Sequence, residues 1–171
     1  ALIGIRHLVI ETHEFENPNY LKNPINRCYF CKSELYARLI EIAPSLGVDV
    51  LANGANLDDR GDYRPGLQAA TEFQIRSPLV EAEFSKADVR ELACVWSLPV
   101  WDKPASPCLS SRIAYGEQVT PERLARIDQA ELFLKELGLG EIRVRLHAGE
   151  LARIEVPLDV LPQVAQPEVR E

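Results

Sequence analysis

Short β-rich runs alternate with helical periodicities along most of this chain, and that alternation limits the architecture more than any other feature. Residues 5–10 (I-R-H-L-V-I), 48–52 and 76–80 read as strands. Between them lies a run from Arg27 in which Tyr29, Leu35, Tyr36, Leu39 and Ile42 recur near the 3.6-residue period until Pro44 and Gly47 stop it. Such alternation up to about Pro107 predicts α/β architecture, a parallel sheet with flanking helices. Ser85 with Asp88 three residues on predicts a capped helix through Cys94 towards Ser97.

After Gly116 the order changes. Thr120-Pro121-Glu122 opens a strong helix to Leu137, stopped at Gly138; residues 141–147 alternate, and 151–156 pair with them as a hairpin across Ala148-Gly149. The expected organisation is therefore an α/β domain over 1–116 and a small α+β domain over 117–171. Two Asn-Pro steps, at 17–18 and 23–24, predict an extended surface loop over 11–26. The stretch 98–116, with three prolines, reads as an ordered loop. The closing Pro167-Glu168-Val169-Arg170-Glu171 reads as the first turn of a further helix, so a piece of a longer protein is expected.

Composition excludes several classes. An apolar content of 46% is too high for disorder, and no run approaches the ~18 uncharged apolar residues of a membrane span. With 19 basic against 26 acidic residues the net charge is −7, which argues against a nucleic-acid backbone as partner. Four cysteines without a secretory framework predict a reducing, cytoplasmic setting.

Four constellations could carry chemistry. Cys28 and Cys31 sit three apart at the mouth of a helix, and Arg27 and Lys32 favour their thiolates. Zinc would want a second such pair, whereas an iron–sulfur cluster held by three thiolates keeps one iron open; Cys108 is the candidate third ligand. The plainer reading is two partly buried cysteines on a helix face. Cys94, in a helix interior, reads as a core residue. The run 53–66, with Asn56, Asp58 and Asp59, could bind sugar hydroxyls, a base edge or hydrated magnesium, or be a solvated acidic turn. In Ser106-Pro107-Cys108-Leu109-Ser110-Ser111-Arg112 a thiol stands beside two hydroxyls and a guanidinium; Ser111 and Arg112 could hold a phosphate or adenylate, or form a capped turn. Arg143 and Arg145 alternate on one strand face with His147, and would accept a phosphate monoester or pair with nearby glutamates.

Together, 23–32, 56–66, Trp101-Asp102-Lys103-Pro104 and 108–112 resemble the LarE family, ATP-dependent sulfur transferases of the PP-loop superfamily that build the nickel-pincer nucleotide of lactate racemase. The resemblance covers essentially the whole chain. It implies a PP-loop sheet, ATP and Mg2+ as cofactors, and adenylation of a carboxylate of a pyridinium dicarboxylate mononucleotide followed by sulfur insertion. Some members sacrifice a single cysteine; others hold a [4Fe–4S] cluster on three, which Cys28, Cys31 and Cys108 match. By the same resemblance Asn56, Asp58 and Asp59 lie at the nucleotide and metal end, Ser111, Arg143 and Arg145 grip the substrate phosphate, and Glu131 joins an acidic metal site. Sulfide or another sulfur donor and a homo-oligomer are expected, with no membrane and no nucleic-acid partner. The family's Ser-Gly-Gly-x-Asp-Ser loop is not among these residues and is expected upstream of Ala1. The alternatives are a PP-loop tRNA thiolase and a non-catalytic zinc-binding module.

Overall fold

The computed structural model describes residues 4–61 and 63–167; Asp62 and, of the closing turn expected over 167–171, residues 168–171 lie outside the described residues. Helices α1 (Pro18–Leu21), α2 (Arg27–Ile42), α3 (Pro65–Glu72), α4 (Pro78–Glu81), α5 (Lys86–Val95) and α6 (Pro121–Glu136) precede strands β1 (Arg143–His147) and β2 (Leu151–Glu155), and α7 (Leu161–Val164) follows. The chain divides into two compact units. One runs to Asn17 and resumes over Asn26–Lys103; the other takes Pro18–Ile25 and everything from Pro104.

In the first unit α2 forms as its periodicity predicts and passes into a 3-10 turn, Ala43–Leu46, which Gly47 closes at φ 65°. Tyr36 packs there against Ala69, Ala70 and Ile75, with Tyr29, Leu35, Leu39, Leu51 and Phe73 around them. Gly66 permits this closeness, because a Cβ at that position would stand 3.1 Å from Lys32 Cγ. Helix α5 starts at the predicted capping box: Asp88 N–H donates to Ser85 Oγ (3.2 Å) and Ser85 N–H to Asp88 Oδ2 (2.8 Å).

The parallel sheet expected here reduces, among the described residues, to one isolated parallel bridge between Ala52 and Arg76. Residues 5–10 form no strand, and Ile5, Leu8 and Val9 are exposed. A strand exists only where a neighbour receives its N–H and C=O groups, and an apolar run alone does not provide one. Val48 and Val50, expected to be buried, are exposed for the same reason. Residues 76–80 bend after one bridging residue into α4, where Pro78 occupies the first turn. Cys94 is exposed rather than core, in the last turn of α5, where Val95 and the capping Trp96 are exposed as well.

The second unit follows its sequence more closely. Thr120 Oγ1 accepts Arg123 N–H at 3.2 Å to start α6, and Gly138 ends the turn beyond it at φ 79°. Strands β1 and β2 pair antiparallel from Arg143↔Glu155 to His147↔Leu151. The hairpin turn takes three residues, Ala148–Glu150, with Gly149 and Glu150 both at positive φ. Leu134, Leu139, Ile142 and Val144 form the core, flanked by Val156, Val160 and Val164.

The loop expected over 11–26 is instead ordered: a 3-10 turn at Glu14–Glu16 precedes α1, and Tyr20 and Asn23 are buried in the second unit. The fold is thus a mixed helix and strand chain with one small antiparallel sheet and isolated parallel bridges.

Candidate functional site

Cysteine 108 stands at the head of a single 3-10 turn, Leu109–Arg112, and its own extended backbone (φ −61°, ψ 155°) opens that turn. Its carbonyl collects three donors: Ser111 N–H (2.9 Å), Ser111 Oγ–H (2.7 Å) and Arg112 Nη1 (3.3 Å). Arg112 Nη1 also reaches Pro107 O at 2.7 Å. The backbone on both sides of the thiol is therefore pinned by one guanidinium, while Cys108 itself remains exposed.

That guanidinium is fixed from α6. Arg112 Nε donates to Glu131 Oε1 at 2.9 Å and Nη2 to Oε2 at 3.4 Å, and Val144 N–H donates to the same Oε1 at 3.0 Å. Both side chains are buried. A buried ion pair offsets its desolvation only when further hydrogen bonds satisfy it, as they do here. The family resemblance implied a metal site at Glu131, and the residues around Cys108 suggested a phosphate or adenylate at Arg112. In this structure each serves the other, and together they tie the Cys108 turn to α6 and β1.

Arg145 reaches the same turn from β1, its Nη1 donating to Ser111 O at 3.0 Å. Its Nε lies 2.7 Å from Glu155 Oε2. Arg145, with Arg153 on the neighbouring strand, holds the Glu155 carboxyl below its usual range. Arg143, Arg145 and His147 share the less buried face of β1, as alternation predicts. Arg143 lies opposite Glu155 in register, yet that carboxylate is engaged by Arg145 and Arg153. Arg143 has no ion pair or side-chain hydrogen bond among the described residues. A half-buried guanidinium without a counter-charge, two positions from one that touches Ser111, is an arrangement suited to a phosphate monoester.

In the other unit Cys28 and Cys31 occupy the first turns of α2, the former exposed and the latter half-buried. Lys32 leans against Gly66, and Cys28 O would stand 3.8 Å from a Cβ there, so α3 abuts this cysteine-bearing turn. Tyr29 OH donates to Glu72 Oε2 at 2.6 Å, joining the same two helices. That bond raises the phenol's pKa and lowers the carboxyl's.

Asn56, Asp58 and Asp59 are brought together by a 3-10 turn, Leu57–Gly61. Asn56 Oδ1 accepts Asp58 N–H (3.1 Å), and Asp59 Oδ2 accepts Asn56 N–H (3.0 Å). Asp58 Oδ2 takes the Lys86 N–H that begins α5 at 2.7 Å, and Asp59 Oδ1 pairs with Arg64 at 3.0 Å. Each carboxylate already closes a turn or starts a helix. Among the described residues no three His, Cys, Asp or Glu side chains are gathered closely enough to hold a metal ion. No helix of the described residues is long and apolar enough to cross a membrane.

Sequence reasoning missed Tyr20, Asn23 and Glu155. Asn23-Pro24 carried a usable signal, since Asn is a residue that tolerates the left-handed conformation found there (φ 53°).

No family model matches the chain. It is 51% identical over 164 residues to an uncharacterised protein of Synechocystis sp., across 96% of this chain and 61% of that protein. It is 40% identical over 147 residues to the pyridinium-3,5-bisthiocarboxylic acid mononucleotide synthase of Lactiplantibacillus plantarum, across 85% of this chain and 53% of that enzyme. An uncharacterised protein of Methanocaldococcus jannaschii is 33% identical over 160 residues, across 94% of this chain and 62% of its own length. The chain thus spans between about half and three fifths of the curated relatives it matches.

Proposed function

We propose that this chain belongs to the LarE family and is the cysteine-bearing part of an ATP-dependent sulfur transferase acting on a pyridinium dicarboxylate mononucleotide, in nickel-pincer nucleotide biosynthesis. What supports the reading is the 40% identity to a bisthiocarboxylic acid mononucleotide synthase, over a span that holds both the Cys108 turn and the arginine face of β1. A carboxylate oxygen of the substrate attacks the α-phosphorus of ATP; the bond to pyrophosphate breaks, and an acyl adenylate forms. A sulfide-level sulfur then attacks the acyl carbon, and AMP leaves with the electron pair of the carbon–oxygen bond. The product is a thiocarboxylate.

Ser111, Arg143 and Arg145 would receive the substrate phosphate. Arg143 has its guanidinium unengaged among the described residues, and Arg145 already orients against Ser111 O. Asn56, Asp58 and Asp59 would face ATP and its Mg2+, which requires at least one carboxylate to exchange a turn hydrogen bond for the ion. The PP-loop sheet and the division at 116/117 belong to this same reading.

The donor chemistry of Cys28, Cys31 and Cys108 suits a [4Fe–4S] cluster: all three are free thiols, and none is fully buried. Such a cluster would supply an open iron that carries an additional sulfur. Among the described residues no three such ligands are gathered closely enough to hold it.

The natural full-length protein, incubated anaerobically with ATP and the mononucleotide, is expected to release pyrophosphate and AMP and to place sulfur in the product, as read by mass spectrometry. Pyrophosphate release without sulfur in the product would sink the transferase reading. Replacing Arg143 by Met is expected to raise KM for the mononucleotide about tenfold or more and leave KM for ATP unchanged, since one charge-assisted phosphate contact contributes about 1.5–3 kcal/mol.

A further inference from the structure

Residues 18–25 stand apart in this chain because they lie far upstream in sequence yet pack with the turn that carries Cys108. Tyr20 and Asn23 are 3% and 0% exposed, and Ser110 is 6% exposed. The Tyr20 hydroxyl and Ser110 Oγ share a buried hydrogen bond of 2.8 Å. Asn23 Nδ2 donates to Ala114 O at 2.8 Å and to Ile113 O at 3.2 Å. Its backbone carbonyl accepts Gly116 N–H at 3.0 Å, and Leu21 O accepts Val119 N–H at 2.9 Å. Asn23 adopts φ 53° to make these bonds together, and Asn bears that conformation more readily than most side chains.

The Cys108 turn is thus held from two sides. Glu131 and Arg145 grip it through Arg112 and Ser111 O, while Tyr20 and Asn23 grip Ser110, Ile113 and Ala114. We propose that Tyr20 and Asn23 are positioning residues for the Cys108 thiol, acting through Ser110 and the Ile113–Ala114 backbone to hold the thiol at the open end of a rigid turn. Their relevance to sulfur transfer rests on the functional reading above; their effect on the thiol does not.

The test compares Tyr20→Phe, which removes one hydroxyl and keeps the ring, with wild type in the natural full-length protein. Iodoacetamide modification of each cysteine is followed by peptide mass spectrometry, with exposed Cys94 as internal reference. Loss of one buried hydrogen bond corresponds to about a three- to tenfold change in the population of the loosened turn. Cys108 is already exposed, so the ratio of Cys108 to Cys94 modification rates reads the setting of the thiol rather than its uncovering; it is expected to depart from wild type by about twofold or more, with Cys28 and Cys31 unchanged relative to Cys94. Ser110→Ala deletes the same bond from the other side and replaces Tyr20→Phe if that variant does not fold. Asn23→Gly, which keeps the backbone conformation and removes both donors, is expected to act in the same direction. A ratio equal to wild type in folded variants, even with a lowered Tm, overturns the proposal and makes both residues plain core. Sulfur transfer by Tyr20→Phe is expected to lose kcat at unchanged KM for ATP. Absence of sulfur transfer in wild type would count against the functional reading and leave the thiol ratio to decide the positioning.

Discussion

Residues 5–10 and 18–25 invert each other. The first is apolar and β-rich, a strand by composition, yet Ile5, Leu8 and Val9 are 67%, 50% and 80% exposed. The second holds two prolines, two asparagines and a lysine, a surface loop by composition, yet it supplies the fully buried Asn23. The difference lies in hydrogen bonding more than in hydrophobicity. An extended segment is built into a protein by a ladder partner, which 5–10 lacks among the described residues. A polar segment can be buried once each of its groups meets a complement, as Asn23 does at Ile113, Ala114 and Gly116.

The contrast can be broken by mutation. The largest effect is expected where burial depends on paired polar groups: Glu131→Ala leaves the Arg112 guanidinium buried without its counter-charge and should cost about 3–5 kcal/mol in denaturant unfolding. The double replacement Arg112→Met, Glu131→Leu should recover most of that loss, since an apolar pair carries no desolvation cost. A double variant as unstable as Glu131→Ala would show that the charge pair is not the cause. Asn23→Ala should cost about 2–3 kcal/mol, from two buried acceptors losing their donor and from the left-handed backbone; a loss under about 0.5 kcal/mol would place Asn23 with ordinary surface residues.

A smaller effect is expected at the hairpin tip. Arg123 Nη2 and Arg126 Nη2 reach Glu150 at 2.6 Å and 2.5 Å and depress its carboxyl pKa, with Arg123 the larger cause. A depressed folded-state pKa adds stability that is present above the ordinary carboxylate pKa and disappears as pH falls through the lowered value. Tm should therefore fall on acidification, and less steeply in Glu150→Gln. The pair is exposed, so salt should shrink the difference; identical acid profiles would remove Glu150 from the account. The smallest effect is expected in the strand-like run, where Val9→Ser should change stability by no more than about 0.5 kcal/mol. A loss above about 2 kcal/mol would show that 5–10 is packed after all.

Local chemistry made much of the molecule legible. The Ser85–Asp88 box, the Thr120-Pro121 start of α6, the length of α2 and the β1–β2 hairpin all arise from residues within a few positions of one another. So does the shared face of Arg143, Arg145 and His147, which strand alternation places together. Cys94 was misread as core because its apolar neighbours suggested a helix interior: it is the next-to-last residue of α5, whose end is exposed. The Arg112–Glu131 pair could not be read from the sequence, because its members lie 19 positions apart, beyond any helical spacing.

By itself the sequence determined where helices start and stop, which side chains share a strand face, and that four thiols exist, because those follow from backbone geometry over a few residues. Tertiary structure alone decided which of these features is used. It exposed an apolar run that lacks a ladder, buried an Asn-Pro segment whose acceptors come from about ninety positions downstream, and turned Arg112 and Glu131 into the mount of the Cys108 turn. The physical reason is the same in each case. A buried polar group needs a partner, and the partner's distance along the chain leaves no local mark in the sequence.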